Sequence, residues 1–143
     1  MAWKFELLQT PYGDVSEGPV WDGSTLFYTQ IQACRIMRYD PQTEKLSVHR
    51  TGTNYANGLA MDAEKRILAC EGGARRVVRY EPDGDVTVLV DAFEGQRLNI
   101  PNDLVVDRQG RVWFTDPFYE GAGGPFSYDR ANRDLDHDSV YRL

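Results

Sequence analysis

Apolar and polar residues alternate in short runs along most of this chain, and no stretch repeats apolar residues at the three-and-four spacing of an amphipathic helix. The runs come in a repeating order. A segment that opens on a polar residue and closes on Asp five positions later occurs as Glu17-Gly18-Pro19-Val20-Trp21-Asp22, as Asn57-Gly58-Leu59-Ala60-Met61-Asp62 and as Asn102-Asp103-Leu104-Val105-Val106-Asp107. Each is followed by a polar or glycine-bearing turn and then by a run of strand-forming residues: Leu26-Phe27-Tyr28-Thr29, Ile67-Leu68-Ala69-Cys70 and Val112-Trp113-Phe114-Thr115. A third strand with one buriable face comes next, over Arg35–Tyr39, Arg76–Tyr80 and Ser139–Leu143. The first two copies continue into a fourth, Leu46–Val48 and Val86–Leu89, while the third copy has none. Ahead of the first copy stands one unassigned strand, Lys4-Phe5-Glu6-Leu7-Leu8.

A repeat of roughly 40 to 45 residues carrying four strands is the signature of a propeller blade. The pattern therefore predicts an all-β chain, a β-propeller segment of three four-stranded blades. Residues 1–14 form a closing outer strand, 15–53 blade 1, 54–99 blade 2 and 100–143 a blade 3 without its own outer strand. A barrel or sandwich could hold the same strands, but neither accounts for polar residues recurring at one place in every copy. Propellers close with about four to eight blades, so three cannot complete a ring, although two sets of three would make six. Either the chain is a piece of a longer propeller, or two copies self-associate, each lending its N-terminal strand to the other's last blade.

Composition narrows the partners. Against 16 Lys and Arg stand 22 Asp and Glu, a net charge of -6, with the basic residues scattered, so no nucleic acid partner is expected. No window is long and apolar enough for a membrane span, and Lys4 and Glu6 interrupt any leader, which gives the expectation of a cytoplasmic protein. Cys34 and Cys70 are too few for a disulfide framework and are expected to be free thiols.

The inner strand of each blade lines the channel of a propeller, so Glu17, Asn57 and Asn102 are expected to converge at one mouth. A carboxylate with amide carbonyls is a donor set for a hard divalent cation, calcium above all. Asn57-Gly58 is also a common hairpin pair, and for Asn57 alone that reading has the advantage. His49 and His137, the only histidines, are not placed as catalytic bases, and there is neither a nucleophile elbow nor a phosphate-binding glycine loop.

Taken together, Glu17-Gly18-Pro19-Val20-Trp21, Asn57-Gly58-Leu59-Ala60, Cys70-Glu71-Gly72-Gly73, Arg97-Leu98-Asn99-Ile100-Pro101-Asn102-Asp103-Leu104 and Val112-Trp113-Phe114-Thr115-Asp116-Pro117 make the chain resemble the gluconolactonase/regucalcin/luciferin-regenerating-enzyme group of six-bladed propellers. The resemblance implies a metal-dependent hydrolase acting on sugar lactones or related esters, with a divalent metal, commonly calcium, over the channel. It carries metal ligation onto Glu17 and Asn102, and a catalytic role onto Asn102 and Asp103, the latter also orienting its neighbour. It places Arg97 and Asn99 on the substrate side, where Arg97 is equally well read as a solvated loop residue; Asn57 is a further substrate-side candidate, and Asp116 and Tyr119, after the second strand of the third copy, belong either to the pocket rim or only to a turn. The ligands that the family draws from its fourth and fifth blades are expected beyond Leu143. A non-catalytic propeller scaffold or a calcium-binding protein without turnover is the competing reading, because two protein ligands do not make a complete site.

Overall fold

The computed structural model describes residues 3–8, 14–121 and 123–143. Two four-stranded antiparallel sheets and one of three strands follow each other along the chain. The first contains β1 (Ser16–Trp21), β2 (Leu26–Gln30), β3 (Arg35–Asp40) and β4 (Lys45–Thr51); the second, β5 (Ala56–Met61), β6 (Ile67–Glu71), β7 (Arg76–Tyr80) and β8 (Val86–Val90). A two-residue-turn hairpin, β9 (Ala92–Phe93) and β10 (Gln96–Arg97), leads into the third sheet, β11 (Leu104–Val106), β12 (Val112–Asp116) and β13 (Ser139–Arg142). Every sheet is paired in chain order, and β5 packs against both β1 and β11, so the first strands of the three sheets line up side by side. These are three consecutive blades of a β-propeller, with the inner strands where the repeat predicts them.

The conserved-in-position Asp of each copy turns out to build the first hairpin of its blade. Asp22 Oδ1 accepts the backbone N–H groups of Ser24 and Thr25, both at 2.7 Å. Asp62 Oδ1 accepts those of Glu64 and Arg66, and Asp107 Oδ1 those of Gln109 and Arg111. A carboxylate satisfying two turn amides is the local reason that β1, β5 and β11 reverse where they do.

The middle blade carries the packing. In β6 every residue is buried, because alternate side chains serve two interfaces. Ile67 and Ala69, with Leu59, Val78 and Tyr80, meet Phe27 and Ile36 of the first blade. Leu68 and Cys70, with Ala60 and Val77, meet Leu104, Val112 and Phe114 of the third. Each fully buried aliphatic or aromatic side chain of this kind contributes roughly 1.5–3 kcal/mol. Among the described residues nothing covers the apolar faces of the outer blades, with Trp21 and Val48 on the first and Val105, Trp113 and Val140 on the third.

Three features depart from the expectation. Residues 4–8 form no strand in the single chain; Phe5 is 96% exposed, and β13 ends its sheet. A strand needs a sheet edge to take up its backbone hydrogen bonds, and among the described residues this segment is paired with none. The β9–β10 hairpin was not foreseen, although Glu94-Gly95, with φ of 50° and 83°, has the left-handed pair that such a two-residue turn requires. The segment between β12 and β13 contains two short 3-10 turns, Pro125–Tyr128 and Arg130–Asn132.

Neighbouring inner strands approach closely through glycine. Gly18, at φ +56°, faces the carbonyl of Asn57, into which any Cβ would collide, and Gly58 faces the backbone of Asn102 and Asp103 in the same way. Gly18→Ala is therefore expected to cost about 3 kcal/mol or more in urea unfolding, from backbone strain plus displacement of the second blade. Gly52→Ala, at φ +69° with open space around it, is expected to cost about 1–2 kcal/mol from backbone strain alone. Equal costs for the two would mean that the blades do not interlock there.

Candidate functional site

Glu17, Asn57 and Asn102 stand near the starts of β1, β5 and β11, and the contacts between these strands fix their spacing. Thr29 Oγ1 bridges the first two blades, lying 3.0 Å from the carbonyl oxygen of Glu17 and 2.9 Å from that of Asn57. The N–H of Gly58 donates to the carbonyl of Asn102 at 2.7 Å, and Asn102 in turn donates to the carbonyl of Thr115 at 2.9 Å. The backbone carbonyls of Asn57 and Asn102 are thus engaged across blade boundaries. Glu17, Asn57, Asn102 and Asp103 line one cleft of about 280 Å³ at this mouth.

Both Glu17 and Asn57 border irregularities in their strands. The pairing register shifts between Glu17 and Val20 and again between Ala56 and Leu59. Such bulges re-aim side chains out of the sheet's alternation, a device common beside active sites. The cleft offers two carboxylates and two carboxamides, all hard donors suited to calcium or magnesium in kind. Among the described residues, no group of three His, Cys, Asp or Glu is close enough to hold a metal ion, so any cation shell here must draw on amide oxygens, water or other chains.

The remaining expected site residues divide. Arg97 and Tyr119 are exposed and neither lines the cleft, and Arg97 spends one N–H on the carbonyl of Ala74 at 2.7 Å. Asn99 and Asp116 are completely buried. The N–H of Asn99 donates to Asp116 Oδ2 at 2.8 Å, and its Nδ2 reaches the carbonyls of Asp116 and His137 at 3.2 and 2.9 Å. Expected on the substrate side, these two instead pin the loop before β11 to the end of β12, beneath the mouth. The reason is local: Leu98 and Ile100 on either side are core residues and draw Asn99 in with them.

Burial pushes the Asp116 carboxyl up to about 6; the backbone N–H groups of Asn99 and Ile100 and the charge of Arg75 oppose the shift, and Asp138 adds to it. One acceptor atom of each side chain, Asp116 Oδ1 and Asn99 Oδ1, has no hydrogen-bond partner among the described residues. The Cys70 thiol nearby is likewise raised, by burial first and by Asp103 and Asp116 after it, which leaves it inert as a nucleophile.

Two anchors were missed in the sequence. Glu71 is 1% exposed, yet it accepts from Asn54 Nδ2 at 2.9 Å, Arg76 Nε at 2.7 Å and the Tyr80 hydroxyl at 2.8 Å. Arg75 donates to the Leu98 carbonyl at 2.6 Å and to Asp134 at 2.7 Å, with its guanidinium 3.9 Å from the centre of the Phe126 ring. Both flank Gly72-Gly73, and a charged residue beside a glycine pair in an otherwise apolar run was the available signal.

A run of three propeller blades whose inner strands deliver acid and amide side chains to one end defines the class of the protein. The chain belongs to the SMP-30/Gluconolactonase/LRE-like region family, whose model matches residues 15–142. It is 27% identical over 144 residues to the gluconolactonase of Zymomonas mobilis, covering 90% of this chain and 39% of that one. A gluconolactonase structure from Xanthomonas campestris matches with TM-score 0.77 and 36% identity, over 91% of this chain and 44% of the other. A calcium-binding regucalcin structure from Agrobacterium tumefaciens shares the fold, at TM-score 0.64 and 18% identity, over 90% and 45%. The chain spans under half the length of each of these relatives.

The buried acid gives a pH dependence with a definite sign. A carboxyl whose pKa rises on folding contributes stability below its unfolded value near 4 and loses it as pH climbs through about 6, at most about 3 kcal/mol. Asp116→Asn, which cannot ionise, is expected to raise the urea midpoint at pH 7.5 and to flatten the profile between pH 4 and 7. A decline in the variant as steep as in the native chain would contradict this assignment.

Proposed function

We propose that this chain supplies one side of a metal-assisted lactonase site, acting on sugar lactones or related esters. The observation that carries the reading is the convergence of Glu17, Asn57, Asn102 and Asp103 on a single cleft, in a chain of the gluconolactonase-like family. Glu17 and the Asn102 carboxamide oxygen are the residues that would hold a divalent cation, calcium above all, with Asn57 and Asp103 on either side. When bound, the cation supplies polarisation of the lactone carbonyl and stabilisation of the negative charge that develops on it.

The chain's own groups do the rest. The carboxamide of Asn57 offers an N–H donor to a sugar hydroxyl or ring oxygen. Asp103 Oδ1 is tied to the N–H of Leu104 at 2.9 Å, which fixes the carboxylate and leaves Oδ2 to accept a proton from attacking water. Arg97 and Tyr119, exposed outside the cleft, are the residues proposed to meet a sugar hydroxyl or carboxylate at its rim.

Completion of the ring belongs to the same proposal. The apolar faces of the first and third blades each call for another blade, supplied by a second copy of this chain or by further sequence, and a second copy would bring paired donor sets to the channel. In that assembly the segment 4–8 pairs with the open edge of β13, closing the last sheet. The lack of a three-residue acidic or His/Cys cluster among the described residues favours one other reading, a propeller that binds calcium or protein without turnover.

Hydrolysis of glucono-lactone followed by pH-stat, with calcium and with chelator, separates the two. The lactonase reading expects metal-dependent turnover that falls at least tenfold in kcat/KM for Asn102→Ala, with stability changed by less than about 1 kcal/mol. Turnover that ignores both the chelator and the substitution would reject the site.

A further inference from the structure

The loop that leads into Asn57 is held in an expensive conformation. Asn54 and Tyr55, consecutive and neither of them glycine, have φ of 50° and 57°. A left-handed residue with a side chain costs roughly 1–2 kcal/mol, and such strain persists only where its surroundings over-determine it. Here they do. The Asn54 carbonyl accepts from the N–H of Gly73 at 2.9 Å, and its side-chain amide is held by the buried Glu71. The Tyr55 ring rests on two bare glycines: a Cβ on Gly73 would come within 2.7 Å of Cδ2, and one on Gly124 within 2.9 Å of Cε2.

What lies beyond the turn explains why it is held. Ala56 pairs with Glu71, but the register then breaks, and ladder pairing resumes only at Leu59. Asn57 is inside that break, so the ladder with β6 does not set the direction of its side chain. Its orientation is set by what holds the chain around it: its own carbonyl, 2.9 Å from Thr29 Oγ1, then Gly58 beyond it, bonded to Asn102, and before it the Asn54–Tyr55 turn. Gly124 belongs to the segment between β12 and β13, and that segment is bolted to the second blade through Arg75, Asp134 and Phe126. One ring therefore touches the glycine loop of the second blade and the long loop of the third, two residues from the mouth.

We propose that Tyr55 is a positioning residue, whose ring, seated between Gly73 and Gly124, maintains the strained turn and through it the aim of Asn57 into the cleft. The hydroxyl plays no part in this, so the aromatic ring alone suffices. The functional weight of the proposal rests on Asn57 belonging to the lactonase site, while its geometry does not.

The test is a set of ¹H–¹⁵N spectra of the chain in the absence of metal, following the side-chain amide of Asn57 together with the melting temperature. Tyr55→Ala is expected to shift that amide and the backbone signals of residues 123–128, and Tyr55→Phe to leave both at their native positions. Gly73→Ala, which pushes a methyl against the ring and the Asn54 carbonyl without requiring a left-handed backbone, is expected to shift the same signals. Should Tyr55→Ala not fold, Tyr55→Leu takes its place in the same comparison. An Asn57 amide unmoved by loss of the ring, or moved equally by Tyr55→Phe, overturns the proposal. If the amide shifts as expected but a calcium titration of the variants matches the native chain, positioning stands and the lactonase site is what fails.

Discussion

The close approach of neighbouring inner strands is the constraint on which the rest depends. Gly18 lies against the carbonyl of Asn57, Gly58 against the backbone of Asn102 and Asp103, and Thr29 joins the first pair through its hydroxyl. Without a Cβ at those two positions, adjacent blades can bring their first residues together, and the backbone polar groups at the mouth find partners across the blades. The same residues that make the ring compact thus make the cleft. In the third blade the equivalent position is Asp103, where the series of glycines stops and a carboxylate takes the place of close contact.

Around that axis the packing is uneven in a way that follows from position. The middle blade buries both faces, so β6 reads as an unbroken apolar run ending on Glu71, whose three hydrogen bonds compensate the burial of its charge. The outer blades bury one face each and leave Trp21, Val48, Val105, Trp113 and Val140 to solvent. A propeller face is made to be covered by the next blade, and the length of the chain against its relatives agrees with that demand.

Much of the architecture was legible in the sequence, because it resides in a period. The three polar-to-Asp segments and the strand runs after them correspond to elements of the structure. The mouth residues were legible for the same reason, as equivalent positions of a repeat. What escaped was non-periodic. Asn99 and Asp116 belong to motifs of functional appearance but are buried by flanking core residues, and no local pattern distinguishes a pinned amide from a substrate contact. The N-terminal segment has the composition of a strand, yet a strand exists only when an edge is present to receive it. Arg75 and Tyr55 act through residues that are distant in sequence, Asp134 and Gly124, so their roles emerge only once the blades are assembled.

The central claim is that Glu17, Asn57 and Asn102 form one cation-binding mouth. Titrating the ¹⁵N-labelled chain with manganese, whose paramagnetism broadens only nearby signals, examines it directly. Selective loss of the Asn57 and Asn102 side-chain amides, together with the backbone amides of residues 17 and 18, and reversal by excess calcium are what the account expects. Broadening centred elsewhere, or none at these residues, would contradict it.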